Sequence, residues 1–128
     1  MSDRAAFLAH IADHPEADLP RLVFADWLDE QGDPLGEFIR VQIELEPIRY
    51  QADNPRTLEL HAREDELLRT HRDRWAVFGA GVTGDADFGP VFRRGFPHSV
   101  CWSPYTFVTH GGRLLFDYPT IREVALYS

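Results

Sequence analysis

The stretch DLPRLVFADWLDEQGDPLGEFIRVQIEL, residues 18–45, carries two helix-start signals in succession. Asp18 and Asp33 belong to the residue types that accept hydrogen bonds from the first free N–H groups of a helix, and each is followed by a proline within two positions. Gly32, just before the second signal, suits the left-handed conformation that ends many helices. The stretch therefore predicts two helices joined by a tight turn at Gly32-Asp33.

Apolar residues recur in both segments with the period of a helix. The first segment carries a broad apolar stripe. In the second, one face at i, i+3, i+4, i+7 and i+10 is formed by Leu35, Phe38, Ile39, Gln42 and Leu45. We expect the core of this helical hairpin to consist of Phe24, Trp27, Phe38 and Ile39. Asp26 is expected to form a buried or half-buried ion pair across the hairpin, with either Arg21 or Arg40 as its partner.

Two further helices are predicted on either side of this hairpin. One begins at Ser2 or Asp3 and ends near Asp13, before Pro15. The other begins at Asn54-Pro55 and continues to about residue 71, with many charges and a thin apolar face. The N-terminal part of the chain is therefore predicted to be a bundle of about four helices.

The sequence changes character after residue 78, where the glycine-rich segment 79–90 indicates a loop. Strands are predicted at 98–102 and 121–128, with a helix between them that begins at Ser103-Pro104. Val100 and Val124 lie 24 residues apart, within the range of a leucine-rich repeat. The predicted class is α+β, with a helical domain at 1–78 followed at 79–128 by a loop and a β-α-β segment that resembles the start of a leucine-rich-repeat solenoid. At 128 residues, the chain is expected to form one compact unit.

The composition restricts the classes of function. The net charge of −8 and the pI of about 5.1 argue against direct nucleic-acid binding, which usually requires a basic surface. Cys101 is the single cysteine, which excludes an intramolecular disulfide and Cys-rich zinc sites. The sequence has neither a signal-peptide pattern nor an apolar run long enough for a membrane span. We therefore expect a cytoplasmic protein that does not bind membranes.

An acidic group in the hairpin is the main candidate for chemistry. Asp26, Asp29, Glu30 and Glu37 have helical spacings that would allow them to bind a divalent metal or act as acid and base. The alternative is that these are solvated charges paired with arginines, and we favour it. His10 and His14 have the i, i+4 spacing of helical zinc ligands but lack the accompanying glutamate. No catalytic residue, metal ligand or cofactor is therefore assigned.

Residues 18–45 resemble the repeat-companion domain of planctomycete-type bacteria. The pattern of that family is close to D-x-x-R-L-V-Y/F-A-D-W-L-x-E-x-G-D-P-x-x-E-F-I-R-x-Q, and the present chain follows it nearly residue for residue. The resemblance implies a domain that accompanies leucine-rich-repeat-like arrays and has no established catalytic residues. The positions that represent the motif are Asp18, Arg21, Phe24, Asp26, Trp27, Gly32, Asp33, Pro34, Phe38 and Arg40.

The function expected from these features is a non-enzymatic protein-interaction or repeat-capping module. Its candidate interaction edge is the pair of C-terminal strands, which would also allow a homo-oligomer, and comprises Val100, Trp102, Val124, Leu126 and Tyr127. A first alternative is a small accessory subunit that docks on a basic partner in a nucleic-acid-processing or defence assembly. A second is a metal-dependent hydrolase that uses the acidic group of the hairpin.

Overall fold

A computed structural model describes residues 3–75, 91–102, 104–117 and 120–126. Four helices come before the first described strand, and the last of them follows a short 3-10 helix. The elements are α1 (Asp3–Asp13), α2 (Leu19–Glu30), α3 (Leu35–Leu45), the 3-10 helix (Glu46–Ile48), α4 (Pro55–Trp75), β1 (Val91–Arg93), β2 (Phe96–Trp102), α5 (Pro104–Asp117) and β3 (Glu123–Leu126). The predicted mixed α+β class is confirmed.

The chain divides into two compact units. The first consists of residues 1–71 together with 93–95, and the second consists of residues 72–92 together with 96–128. The domain boundary predicted between residues 78 and 79 lies outside the described residues. None of the helices within the described ranges is both long enough and apolar enough to cross a membrane.

The turn between α2 and α3 follows the signals in the sequence. Gly32 adopts a φ of +70°, which ends α2, and the N–H of Asp33 donates to the carbonyl of Leu28 at 2.9 Å. The carboxylate of Asp33 accepts a hydrogen bond from the N–H of Leu35 at 3.0 Å, so Asp33 caps α3 as predicted. Asp18 stands at the start of α2 but makes no capping hydrogen bond with its side chain, so that part of the prediction is wrong.

The core of the first unit lies between α1, α2 and α3. Its fully buried side chains are Ile11, Phe24, Leu28, Phe38, Ile39 and Leu45. Trp27, which was expected in the same core, is half-buried at its edge. Its ring lies 5.5 Å from that of Phe7 and 5.9 Å from that of Phe24, so aromatic packing joins α1 to α2.

The second unit contains a three-stranded sheet in the order β1-β2-β3. β2 and β3 are parallel, with α5 as the connection, and Val100 lies opposite Val124, so the alignment of these two valines is confirmed. β1 was not predicted from the sequence. It precedes a two-residue turn in which Arg94 has a φ of +50° and Gly95 a φ of +94°, and an arginine rarely adopts such a φ.

Candidate protein-interaction site

Arg40 bridges the two helices of the central hairpin. Its guanidinium donates to the carboxylate of Asp29 at 2.5 Å and to that of Asp26. Arg40 is thus the partner of Asp26, but both carboxylates are exposed and the expected burial of this pair is wrong. Exposed pairs of this kind contribute at most about 1 kcal/mol each. The cluster therefore orients side chains on the hairpin surface and adds little to its stability.

Arg21 is buried and serves the loop between α1 and α2. Its guanidinium donates to the carbonyls of Pro15 at 2.9 Å and Ala17 at 3.1 Å. Burial, reinforced by the nearby charge of Arg94, lowers the pKa of Arg21 to about 10. At neutral pH the group is still charged, and the loop carbonyls take the place of water around it.

Arg94 reaches the same loop from the β1–β2 turn. Its guanidinium donates to the carbonyls of Pro15 at 2.5 Å and Glu16 at 3.1 Å, and to the carboxylate of Asp18 at 3.0 Å. The bond to Arg94 explains why Asp18 does not cap α2. Two buried arginines therefore hold one loop, and the sequence gives little sign of it beyond the Arg-Arg-Gly run before an apolar strand.

A second buried network joins the β1–β2 turn to α3 and α4. The N–H of Gly95 donates to Oε1 of Gln42 at 2.7 Å, and Nε2 of Gln42 donates to Glu64 at 3.0 Å. Arg49 completes the network with two hydrogen bonds to the Glu64 carboxylate, at 2.8 and 3.2 Å. Gln42 is thus a structural residue of the helical motif, because it satisfies one buried donor and one buried acceptor.

The network around Glu64 predicts a loss of stability in acid. Burial raises the pKa of Glu64, but hydrogen bonds from Arg49 and Gln42 together outweigh burial and lower it overall. A carboxylate whose pKa is lower in the folded state stabilises the fold above its unfolded pKa of about 4.3. This contribution is lost as the pH falls through the folded pKa.

We therefore expect the free energy of unfolding in urea to fall between about pH 5 and pH 3. The fall should be shallower in the Glu64→Gln variant, which cannot titrate at this position. It should not vanish, because hydrogen bonds from Arg63 and Arg56 lower the pKa values of Glu37 and Glu44 in both proteins. Parallel pH profiles for the two proteins would show that Glu64 is not linked to folding.

The acidic group considered for metal binding is divided among separate arginines. Arg40 engages Asp26 and Asp29, whereas Arg63 forms two hydrogen bonds with Glu37, at 2.5 and 2.6 Å. Glu30 is exposed. Within the described parts of the chain, no three His, Cys, Asp or Glu side chains are placed to hold a metal ion.

The predicted interaction edge is divided between two strands of the sheet. Val100 and Trp102 lie on β2, the central strand, and Val100 is buried. Tyr127 and the side chain of Trp102 lie outside the described residues. Val124 and Leu126 lie on an edge strand, β3, where Val124 is half-buried and Leu126 is 52% exposed.

The second unit also exposes apolar side chains on α5. Val108 and Phe116 are each 83% exposed, and they lie eight residues apart on one side of the helix, with Gly112 between them. Isolated exposed apolar residues are ordinary, but contiguous exposed apolar surface marks sites that bind another protein.

The first unit carries an apolar groove between α1 and α2, with a volume of about 460 Å³. Two of its apolar side chains are well exposed, Leu19 at 70% and Val23 at 45%. The groove is lined by Asp3, Ala6, Phe7, His10, Leu19, Pro20, Val23 and Trp27. Trp27, which was expected in the core, is half-buried and lines this groove.

Comparison with known proteins gives no relative: no family model, curated protein or solved structure matches the chain.

Proposed function

We propose that this chain is a non-enzymatic protein-interaction module that accepts a further β-strand along β3 and so caps or begins a repeat array. The supporting observation is the arrangement of β3. It pairs in parallel with β2 on one side, and in the described residues no strand lies on its other side. The N–H and C=O groups of an unpaired strand edge form a template for another strand.

The repeat geometry supports the same proposal. β2, α5 and β3 form a strand-helix-strand unit in which paired residues lie 24 positions apart, as Val100 and Val124 do. Units of this length stack side by side in solenoids, and each contributes one strand to a continuous sheet. A neighbouring unit would pair with β3 and would give the exposed side chains of Leu126 and α5 an apolar surface to pack on. The resemblance of residues 18–45 to the repeat-companion domain favours the same role, in the bacterial cytoplasm.

In the absence of its partner, the free edge is expected to pair with a second copy of the chain at high concentration. Sedimentation should show self-association that increases with concentration. Hydrogen exchange should show that about half of the β3 amides, those pointing away from β2, exchange fast in the monomer and become protected on association. Leu126→Lys should abolish the association, because a lysine on an edge strand opposes pairing.

The matched control for this experiment is Leu58→Lys, which introduces the same charge at a 61% exposed leucine of α4 and should leave association unchanged. Any of three outcomes would contradict the proposal: a chain that stays monomeric at millimolar concentration, β3 amides that are all protected in the monomer, or a Leu126→Lys variant that associates like the wild type.

A further inference from the structure

The α1–α2 groove has the dimensions of a binding site for a helix. Its lining residues span Asp3 to His10 on α1 and Leu19 to Trp27 on α2, which is about two helical turns, or roughly 12 Å, along each helix. A helix that lies in such a groove buries side chains at i, i+3 or i+4, and i+7. Phe7 and Trp27 form the floor, since their rings pack against each other.

The ends of the groove are negatively charged. Asp3 lines one end, Asp13 lies one helical turn beyond His10 on α1, and Glu30 lies one turn beyond Trp27 on α2. These three carboxylates are exposed, and they form no ion pair with any other described residue. The surface around the apolar floor is therefore acidic.

The arginines of α1, α2 and α3, which are Arg4, Arg21 and Arg40, already have partners. Arg4 on α1 pairs with Asp33 at 3.6 Å and lies over the ring of Phe24, while Arg40 engages the carboxylates of Asp26 and Asp29. The exposed carboxylates of Asp3, Asp13 and Glu30 are therefore available to cationic side chains of a ligand. The charge also disfavours a second copy as the occupant, because both chains carry a net charge of −8 and would bring like-charged ends together.

We propose that the α1–α2 groove binds an amphipathic basic helix of another protein. The apolar face of that helix covers Leu19, Val23 and Trp27, and lysine or arginine side chains flanking this face approach Asp3 and Glu30. The floor provides affinity through apolar burial, and the carboxylates provide selectivity for a cationic partner. The site lies wholly in the first unit, so it does not depend on strand pairing at β3.

The probe is a set of three 16-residue helical peptides with the same leucines at i, i+4, i+7 and i+11. The remaining positions are alanine with lysine in the first peptide, glutamine in the second and glutamate in the third. Titration monitored by the backbone NMR signals of the full chain gives both the affinity and the site. The lysine peptide should bind at least about tenfold more tightly than the glutamate peptide, and signals of α1 and α2 should shift.

Two variants locate the site. Val23→Gln replaces an exposed apolar side chain of the groove by a neutral polar one and should weaken binding of the lysine peptide at least about tenfold. Leu58→Gln makes the same kind of change at an exposed leucine of α4 and should have no effect on binding. Glu30→Lys should lower the affinity for the lysine peptide and raise the affinity for the glutamate peptide. A purely apolar site would show neither change.

The proposal is overturned if none of the peptides binds at millimolar concentration. It is equally overturned if the lysine and glutamate peptides bind with the same affinity, or if Val23→Gln and Leu58→Gln behave alike. Shifts confined to the second unit would place binding elsewhere and likewise contradict it. Because Leu126→Lys changes only the second unit, a failure of strand pairing and a failure of the groove are separate results.

Discussion

Replacing Gly95 by alanine is expected to destabilise the first unit by about 3 kcal/mol or more. Gly95 has a φ of +94°, and a Cβ at this position would lie 2.9 Å from the Cα of Ile39 and closer still to its Cγ1. Ile39 is fully buried in α3, so neither its backbone nor its side chain has room to retreat. The change should also weaken the hydrogen bond from Gly95 to Gln42. Urea and thermal unfolding monitored by circular dichroism measure the loss.

Gly32→Ala is the matched control for this variant. Gly32 also has a positive φ, +70°, but a Cβ there would meet no atom within 4 Å. The free energy of unfolding of Gly32→Ala should therefore fall only by the backbone cost of the left-handed conformation, about 1–2 kcal/mol. If the two variants lost the same free energy of unfolding, the close approach of Gly95 to Ile39 would not be significant.

Replacing Glu64 by alanine is expected to lower the free energy of unfolding by about 3–5 kcal/mol. The carboxylate is buried and accepts hydrogen bonds from Arg49 and Gln42. Its removal leaves the guanidinium of Arg49 without its partner and one N–H of Gln42 without an acceptor. The free energy of unfolding at pH 7, measured in urea, gives the size of the effect.

Glu37→Ala is the control for Glu64, because Glu37 also forms two hydrogen bonds with an arginine, Arg63, but both side chains are partly exposed. We expect the free energy of unfolding of this variant to fall by less than about 1 kcal/mol. The double variant Arg49→Met, Glu64→Met should recover much of the loss of Glu64→Ala, since it removes both charges and fills the space. Equal losses for the two single variants would contradict the importance of burial.

The burial and the hydrogen-bond partners of its polar residues change the interpretation of the helical motif. Arg21 looks like a surface residue of an amphipathic hairpin, yet it is buried and binds backbone carbonyls of the α1–α2 loop. Gln42 lies on the apolar face of α3, as its spacing predicts, and binds a backbone N–H of another segment. Arg40 and Asp26 look like a lock between two helices, yet they form an exposed pair. These parts of the motif can therefore be explained by the requirements of folding, whereas Trp27 of the motif also lines the proposed groove. The other proposed binding surface, β3, belongs to the second unit.

Local structure could be predicted from the sequence because its causes are local. The Asp33 cap and the stop at Gly32 depend on residues within a few positions of each other, and the helical period fixed which faces of α2 and α3 are buried. The pairing of Val100 with Val124 could also be predicted from the sequence, since a strand-helix-strand unit constrains its own register. A local signal was insufficient for β1, because its turn uses an arginine at a positive φ.

By itself, the sequence determined the helices, the turn between α2 and α3, and the 24-residue spacing of the last strand-helix-strand unit. The tertiary structure alone decided the partners of the polar residues. Asp18 binds Arg94, 76 positions away, instead of capping its own helix, and Gln42 binds the N–H of Gly95, 53 positions away. Such choices depend on which buried donors lack an acceptor once the elements have packed, and no periodicity in the chain encodes that.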